Sequence, residues 1–199
     1  METLITVFTP TYNREKHLTD CYNSLVNQTS QNFIWQIIDD GSTDGTEELV
    51  QKFVEEGRIR IHYKKKPNGG KASTINLSLE ITDTPLWVTL DSDDYFLDNA
   101  IETIAKHYKI IENQDDVCGM FGLRANPDGT PMQNKNIPES IDYTTQSQVR
   151  YDLGIPPEYI HVYKTEIARN YKYPIINGEK YMPLSYVFDQ IDQKYKYKV

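Results

Sequence analysis

The chain has 199 residues, a length that favours a single domain with a full hydrophobic core. It carries 21 Lys and Arg against 29 Asp and Glu, a net charge of −8, which argues against a general nucleic-acid-binding protein because such proteins present a basic face. No run approaches the ~18 consecutive apolar positions of a membrane-spanning helix and no signal peptide opens the chain, so we expect a soluble, cytoplasmic protein.

The chain opens with a β-rich strand at residues 3–8, followed by a polar loop. Pro10 lacks a backbone N–H and is expected to stop regular pairing, and Asn13 is a good N-cap for a helix. Apolar residues at i, i+3, i+4, i+7 and i+8 indicate that helix: Leu18, Cys21, Tyr22, Leu25 and Val26.

A second strand at 33–38 runs into an acidic turn at 39–46. Asp44 and Glu47 have the spacing of a capping box, which predicts the start of a second helix. Gly57 is expected to end this helix, since glycine adopts the left-handed conformation of a helix C-terminus without strain.

A third strand at 59–63 leads into a basic loop at 64–71 that contains Gly69 and Gly70. The glycines allow the backbone to approach a ligand closely. A third helix is indicated by one inward face: Ala72, Ile75, Asn76 and Leu79.

Residues 86–94 are the most informative stretch, because five mostly apolar residues run into Asp91, Asp93 and Asp94. The apolar run predicts a strand buried on both faces, as in a parallel sheet, with the acids at its C-terminal end. Three carboxylates so close repel one another unless a cation lies between them, and Mn²⁺ or Mg²⁺ prefers such oxygen ligands. The alternative is a surface turn whose acids cap a helix.

A fourth helix from about residue 98 and a strand at Val117–Leu123 complete four alternations of strand and helix. This pattern predicts an α/β fold, with a mostly parallel central sheet flanked by helices. The remainder shows less periodicity, and its final residues, 194–199, resemble the end of an interrupted helix. Three further elements are expected there: a strand at 159–163 and helices at 165–171 and 183–192.

Polar motifs follow three of the predicted strands, at 9–14, 39–44 and 91–94. Open α/β sheets bind ligands at the carboxyl edge of their strands, so we predict that these motifs form one site. A nucleotide-diphosphate donor fits this site, because a divalent ion stabilises a leaving diphosphate. A P-loop fits less well, since Lys65 and Ala72 stand where Gly and Ser or Thr are required.

The residue types suggest separate roles in donor binding. Asp93 is the candidate direct metal ligand, and Asp91 is expected to reach the ribose or a metal-bound water. Asp39 or Asp40 can accept the N–H of a pyrimidine, which would select uracil. Lys71 offers a cation to a phosphate, although a solvated surface lysine is the alternative interpretation.

Four motifs in this order resemble those of the inverting family 2 glycosyltransferases with the GT-A fold: residues 9–14, 39–46, 68–71 and 90–94. The resemblance covers residues 3–124 and extends more weakly to about residue 192. It implies one GT-A domain over residues 1–199. Residues 1–124 would form its nucleotide-sugar-binding half, and residues 125–199 a smaller, irregular acceptor-side portion that is possibly incomplete.

The resemblance implies a UDP-sugar donor, a saccharide or lipid-linked acceptor, and Mn²⁺ or Mg²⁺. Thr9, Pro10 and Tyr12 would line the base and ribose pocket. The Asp-x-Asp motif that holds ribose and metal would be formed by Asp91, Ser92 and Asp93.

Family members carry a catalytic base further along the chain, often within Glu-Asp, and no clean Glu-Asp occurs here. The nearest match lies at residues 177–181, which makes Glu179 the candidate base, with Asp189 and Asp192 as alternatives. Glu179 would take a proton from an acceptor hydroxyl, which would attack the anomeric carbon with inversion. An exposed turn acid is the other interpretation of Glu179.

Two other classes stay open at this point. A nucleotidyltransferase would use a similar sheet edge but usually needs a glycine-rich loop after the first strand, and residues 9–12 contain no glycine. A non-catalytic or degenerate nucleotide-binding module would bind UDP without transferring a sugar. Membrane contact is expected only through a segment beyond residue 199.

Overall fold

The computed structural model describes residues 3–126, 128–132, 135–156, 159–176, 178–179 and 181–199. The strands are β1 Ile5–Thr11, β2 Phe33–Asp39, β3 Ile61–Lys65, β4 Leu86–Thr89, β5 Val117–Leu123, β6 Tyr143–Thr144, β7 Tyr159–Lys164 and β8 Lys196–Lys198. The helices are α1 Leu18–Val26, α2 Thr46–Glu56, α3 Lys71–Ile81, α4 Ala100–Ile111, α5 Thr165–Ala168 and α6 Ser185–Asp192. A short π-helical turn spans Gln148–Asp152. None of the helices described is long and apolar enough to cross a membrane.

The strands form one sheet in the order β3-β2-β1-β4-β7-β5-β8-β6. The first four neighbours, β3, β2, β1 and β4, are parallel, and each is joined to the next in the chain by a helix. The second half is mixed, because β7 runs antiparallel to both β4 and β5, whereas β8 is parallel to β5. The predicted α/β class with a mostly parallel sheet is confirmed.

Helices cover both faces of this sheet, so each face has its own apolar core. One core joins α1, α2 and α4 to the sheet, and the other joins α3, α5 and α6. Successive residues of β4 belong to opposite cores, with Val88 in the first and Trp87 in the second. This arrangement explains the continuous apolar run at this strand, since a strand covered on both faces has no solvent-facing positions.

The expected stop at Pro10 is wrong, because Pro10 lies within β1 and pairs with Ile38. Alternate residues of a strand direct their backbone groups to opposite neighbours, and the carbonyl of Thr11 accepts the N–H of Asp40 on the β2 side. Pro10 therefore faces the β4 side, where pairing has already ended at Thr89. Its missing N–H costs no hydrogen bond there.

Two predicted helix caps are also wrong. Helix α1 begins only at Leu18, and Asn13 lies in the preceding loop with a φ of 53°, a left-handed conformation that Asn tolerates. The capping box of Asp44 and Glu47 does not form, because the Asp44 carboxylate accepts hydrogen bonds from Thr46, 3.1 Å from its N and 2.5 Å from its Oγ1. The predicted helix end at Gly57 is confirmed, with a φ of 62°.

The C-terminal residues form the strand β8 and not the end of a helix. The alternation of Lys and Tyr from residue 194 to 198 has the two-residue period of a strand and not the period of a helix. Tyr197 is fully buried and stacks on Phe121 with ring centroids 4.2 Å apart.

We predict that Gly119→Ala is strongly destabilising, because a Cβ at this position of β5 would lie 1.9 Å from the carbonyl oxygen of Val162 on β7. Such overpacking against backbone costs about 3 kcal/mol, which lowers Tm by roughly 6–12 °C in a domain of this size. The control is Gly57→Ala, which meets no atom within 4 Å but adopts a left-handed φ, and costs about 1 kcal/mol. Equal losses of Tm in the two variants would contradict this packing of β5 on β7.

Candidate functional site

The carboxyl ends of β1, β2, β3 and β4 lie along one edge of the sheet, because these strands are parallel neighbours. Four loops leave this edge: the first loop (residues 12–17), the second loop (40–45), the glycine loop (66–70) and the acidic loop (90–99). The polar motifs converge as predicted, because hydrogen bonds join the first and second loops, the second and glycine loops, and the acidic loop to Thr9 of β1 and Lys71 of α3.

The first and second loops are joined through Asn13. Its N–H donates to Ser42 Oγ at 2.9 Å, and its Oδ1 accepts the N–H of Thr43 at 2.8 Å. The N–H of Arg14 donates to Thr46 Oγ1 at 2.9 Å, at the start of α2. Asn13 therefore connects two loops and does not cap its own helix.

The side chain of Thr9 fixes the first residue of the acidic loop. Its hydroxyl donates to the carbonyl of Leu90 at 2.8 Å and accepts the indole N–H of Trp35 at 2.9 Å. Thr9 is 0% exposed, so the structure places it beneath the expected base and ribose pocket and not on its surface. Pro10 is partly exposed and Tyr12 is 48% exposed, and their contact with a ligand stays a prediction.

Asp39 is fully buried and has a structural role. Its Oδ1 accepts the N–H of Ser42 at 2.7 Å, and its Oδ2 accepts the hydroxyl of Tyr63, also at 2.7 Å. Burial, and after it this hydrogen bond to a carboxylate, raises the pKa of Tyr63 well above its usual value. Both oxygens of Asp39 are therefore engaged inside the protein.

Asp40 lies between the second loop and the glycine loop. Its two oxygens accept the N–H groups of Gly69 at 2.9 Å and Gly70 at 2.7 Å, and it forms an ion pair with Lys66. Both oxygens of Asp40 are thus also engaged within the protein, and the contact of either acid with a pyrimidine stays a prediction.

The acidic loop begins where β4 ends. Asp91 Oδ1 lies 2.7 Å from Lys71 Nζ, at the first residue of α3, and both side chains are partly exposed. Lys71 is therefore paired with an acid of this loop, and its contact with a phosphate stays a prediction. Ser92 is buried, whereas Asp93 is exposed.

Asp94 faces the second half of the sheet, with its Oδ2 3.2 Å from a guanidinium nitrogen of Arg124. Partial burial raises the pKa of Asp94; the charge of Arg124 opposes this shift, and the nearby charges of Asp91 and Asp93 add to it. The three carboxylates thus repel one another here, as the sequence suggested. Arg124 was not identified from the sequence, because nothing local connects it with an acid thirty residues earlier.

No three His, Cys, Asp or Glu side chains converge on one metal position within the described ranges. The expected cluster of three carboxylates around a cation is therefore not formed by the protein alone. The donor set still suits Mn²⁺ or Mg²⁺, because such ions are often held by one or two carboxylates while substrate phosphates and water complete the shell. Asp91 and Asp93 are the residues present for this role.

A cavity of about 780 Å³ opens beside the acidic loop. Lys71, Asp91 and Asp94 lie in its wall together with apolar and aromatic side chains from the second half of the sheet. The main aromatic lining consists of Trp87, Phe121, Tyr159, His161, Tyr163 and Phe188. A cavity of this size and lining suits a small organic ligand with a few polar anchor points.

His161 is a polar residue within this aromatic lining. Its ring stacks on Phe188 with centroids 4.6 Å apart and meets Phe121 edge-on at 5.1 Å, and its Nε2 lies 3.2 Å from Gln146 Oε1. Burial lowers the pKa of His161 to about 3, so the ring is neutral at physiological pH.

Glu179 lies in an exposed turn. Its N–H donates to the carbonyl of Ile176 at 3.1 Å, and its Oε1 accepts the N–H of Tyr181 at 2.8 Å. Asn177 and Lys180 of the same motif lie outside the described residues. These contacts are local to the turn, so the assignment of Glu179 as the base stays a prediction.

The two alternative acids lie on α6. The carboxylate of Asp192 accepts hydrogen bonds from the N–H groups of Gln146 and Ser147 and from the Ser147 hydroxyl, which fixes the segment before the π-helical turn. Asp189 is exposed. Asp192 thus has a structural role, and Asp189 is the alternative with an accessible carboxylate.

Comparison with known proteins agrees with this arrangement of the sheet. The chain is 33% identical over 116 residues to the glycosyltransferase GlyG of Streptococcus pneumoniae, which covers 58% of this chain and 37% of that protein. The structure of S. aureus TarS 1-349 in complex with UDP-GlcNAc superposes with a TM-score of 0.66 at 22% identity, covering 95% of this chain and 53% of the other. A mannosyltransferase from Pyrobaculum calidifontis, in complex with GDP-Man and Mn²⁺, superposes at 0.60 and 18% identity, covering 90% and 50% of the two chains.

The fold is that of the GT-A glycosyltransferases, as the resemblance implied. Residues 6–172 match the family model described as glycosyl transferase family 2, which is well over half of the sequence. The chain belongs to glycosyl transferase family 2. It spans about half the length of the solved structures named above and about a third of GlyG.

We predict that Thr9→Val destabilises the protein by about 1–3 kcal/mol, because valine keeps the shape but leaves the buried indole N–H of Trp35 without its acceptor. Thr11→Val is the matched control, since Thr11 is equally buried and its Oγ1 has no hydrogen-bond partner among the described residues. That variant should be neutral or more stable. Chemical denaturation measures both free energies of unfolding, and a Thr9→Val cost no larger than that of Thr11→Val would refute this role of Thr9.

Proposed function

We propose that this chain contains the donor-binding half of an inverting, metal-dependent glycosyltransferase that moves a sugar from a UDP-sugar to a hydroxyl of a saccharide or lipid-linked acceptor. The observation that carries the proposal is the carboxyl end of β4, where Asp91 and Lys71 form an ion pair in the wall of the 780 Å³ cavity and Asp93 of the same loop is exposed. The complexes of TarS with UDP-GlcNAc and of the mannosyltransferase with GDP-Man and Mn²⁺ support a nucleotide-sugar donor and a divalent ion.

Each end of the donor has its own set of residues. Asp40 would accept the N3–H of uracil above β2, and Asp91 and Asp93 would hold Mn²⁺ or Mg²⁺ at the end of β4. A bound divalent ion neutralises charge on the leaving diphosphate. Lys71 adds a positive charge beside Asp91, because its ammonium lies 2.7 Å from that carboxylate. These residues bind and orient the donor before any bond is broken.

The acceptor enters through the cavity beside the acidic loop. Its aromatic lining offers apolar surface to one face of a sugar ring, and neutral His161 with Gln146 offers polar contacts. Glu179 takes the proton of the attacking hydroxyl, which forms its bond to the anomeric carbon as the bond to UDP breaks. Attack from the face opposite UDP inverts the configuration at that carbon.

The donor site is tested by thermal shift with UDP, with and without Mn²⁺. A ligand at 100 times its Kd adds about 2.7 kcal/mol, a Tm rise of roughly 5–10 °C for a domain of this size. We expect a rise that requires Mn²⁺ and is lost in Asp93→Ala, while the control Asp98→Ala, an exposed acid of the same loop, keeps it. A Mn²⁺-independent rise, or one preserved in Asp93→Ala, would contradict the proposed metal site.

The proposed base is tested in a sugar-transfer assay. Glu179→Gln removes the basic carboxylate and retains its size, so we expect UDP binding to be unchanged and the transfer rate to fall by about 10²–10⁴-fold. Asp189→Asn, on the exposed surface of α6, is the matched control and should transfer normally. If Asp189→Asn loses transfer and Glu179→Gln does not, Asp189 is the base. UDP binding by the wild-type chain without any transfer would instead favour a binding module.

A further inference from the structure

The segment around the start of α6 exposes large apolar side chains that take no part in the proposed donor site. Four of them lie within residues 175–186 and are between 46% and 75% exposed: Ile175, Ile176, Tyr181 and Tyr186. These four side chains are called the apolar surface below. A cluster of exposed apolar side chains marks a place where a protein contacts something other than water.

The loop that carries the apolar surface is fixed at its base. Asn76 of α3 donates through Nδ2 to the carbonyl of Tyr173 at 2.8 Å, and its Oδ1 accepts the N–H of Tyr173 at 2.9 Å. The hydroxyl of Tyr173, which is buried, donates to the carbonyl of Leu184 at 3.1 Å. Residues 173 and 184 are therefore held together, and the apolar surface belongs to the loop between them and to the first turn of α6.

The apolar surface adjoins the cavity through which the acceptor is proposed to enter. Tyr173 and Leu184, at the base of the loop, line that cavity. Glu179, the candidate base, lies in the same loop and forms hydrogen bonds with the backbone of Ile176 and Tyr181. A structure that covers the apolar surface would therefore lie beside the acceptor.

The chain next to the apolar surface is basic, in contrast to the protein as a whole. Residues 167–178 contain Arg169 and Lys172 and no acid, whereas the whole chain has a net charge of −8. Lys172 is exposed. The guanidinium of Arg169 donates to the carbonyls of Leu79 and Thr82, which are uncharged acceptors and leave its positive charge in place. Apolar side chains beside cations are typical of segments that bind the interface of an anionic bilayer.

The size of the apolar surface favours a bilayer over a protein partner. At these exposures the four side chains offer roughly 500 Å², whereas a stable protein interface buries about 800 Å² on each partner. Binding to a bilayer has no such minimum, because its strength scales with the apolar area inserted and with the attraction of cations to anionic lipids.

We propose that the apolar surface docks this chain on an anionic lipid bilayer, with Ile175 and Ile176 inserted at the acyl boundary and Lys172 among the head groups. Docking places the cavity at the bilayer surface, where the sugar of a lipid-linked acceptor lies. This contact lies within the chain, whereas the sequence leads us to expect membrane contact only beyond residue 199. The inference rests on the proposed function, because it selects a lipid-linked acceptor over a free saccharide.

The first experiment measures partition of the chain into vesicles by co-sedimentation, with phosphatidylcholine alone and in an equimolar mixture with phosphatidylglycerol. The double variant Ile175→Ser, Ile176→Ser should partition about tenfold less or weaker still, because it removes apolar area from the bilayer. Ile110→Ser makes the same change at a side chain of α4 that is 50% exposed, and should match the wild type. Equal partition of the double variant and the wild type would overturn the proposal, as would a wild type that binds neither vesicle.

The role of the head groups is tested with Lys172→Gln. This variant should lose about fivefold in partition into the mixed vesicles and nothing in phosphatidylcholine alone, because only phosphatidylglycerol carries a net charge. Lys52→Gln, at an exposed position of α2, is the matched control and should bind as the wild type does. A loss of the same size from Lys52→Gln would show attraction without orientation and overturn the proposed contact.

The second experiment uses Tyr181→Trp with vesicles that contain brominated phosphatidylcholine, a quencher of indole fluorescence. The native tryptophans, Trp35 and Trp87, are buried, so the added indole reports its own surroundings. We expect quenching in Tyr181→Trp and none in Ile110→Trp, and this comparison decides the matter if the double serine variant does not fold. The absence of quenching in Tyr181→Trp would overturn the proposal.

Two further outcomes separate this inference from its alternatives. A chain that dimerises through the apolar surface and binds no vesicles would assign that surface to a second copy and overturn the proposal. A Tm rise with UDP but no vesicle binding refutes only the docking surface. Vesicle binding without any UDP response refutes the proposed donor and leaves the docking surface in place.

Discussion

Two adjacent buried carboxylates organise the functional edge of this protein. A buried carboxylate is costly unless donors satisfy its oxygens. Asp39 and Asp40 obtain their donors from three other segments: the second loop, the hydroxyl of Tyr63 on β3, and the glycine loop. Their need for partners therefore fixes the positions of loops that are distant in sequence. Thr9 does the same for the acidic loop with an uncharged hydroxyl.

The acids of the site fall into two groups with different chemistry. Those at the end of β2 are buried and accept hydrogen bonds within the protein, so they hold the surrounding loops in place. Those at the end of β4 are partly or fully exposed, and only Lys71 and Arg124 offset their mutual repulsion in the described structure. An excess of negative charge that no protein ligand shell completes suits an ion that arrives with its diphosphate.

The elements with a clear period were predictable, and the irregular connections were not. Val117–Leu123 matched its predicted bounds, and α1 and α3 buried the predicted faces, because a period of two or 3.6 residues is a property of the local chain. Asn13 was misassigned because its side chain has two possible uses, a cap for its own helix or a bridge to the second loop. Only the position of Ser42 and Thr43 decides between them. Lys66 stood unremarked in a run of three lysines, and burial distinguishes it from the other two.

The sequence by itself determined the α/β class, the order of the strands and helices as far as β5, and the four polar motifs that identify the family. These features depend on residue type and spacing, which the chain carries locally. The tertiary structure alone decided which acids are buried, which cation faces which carboxylate, and that Thr9 supports the site from beneath. Those properties depend on the order of strands in the sheet, β3-β2-β1-β4, which brings residues from separate loops within hydrogen-bonding distance. The burial and pairing of these polar side chains are relations between distant segments, so no local pattern encodes them.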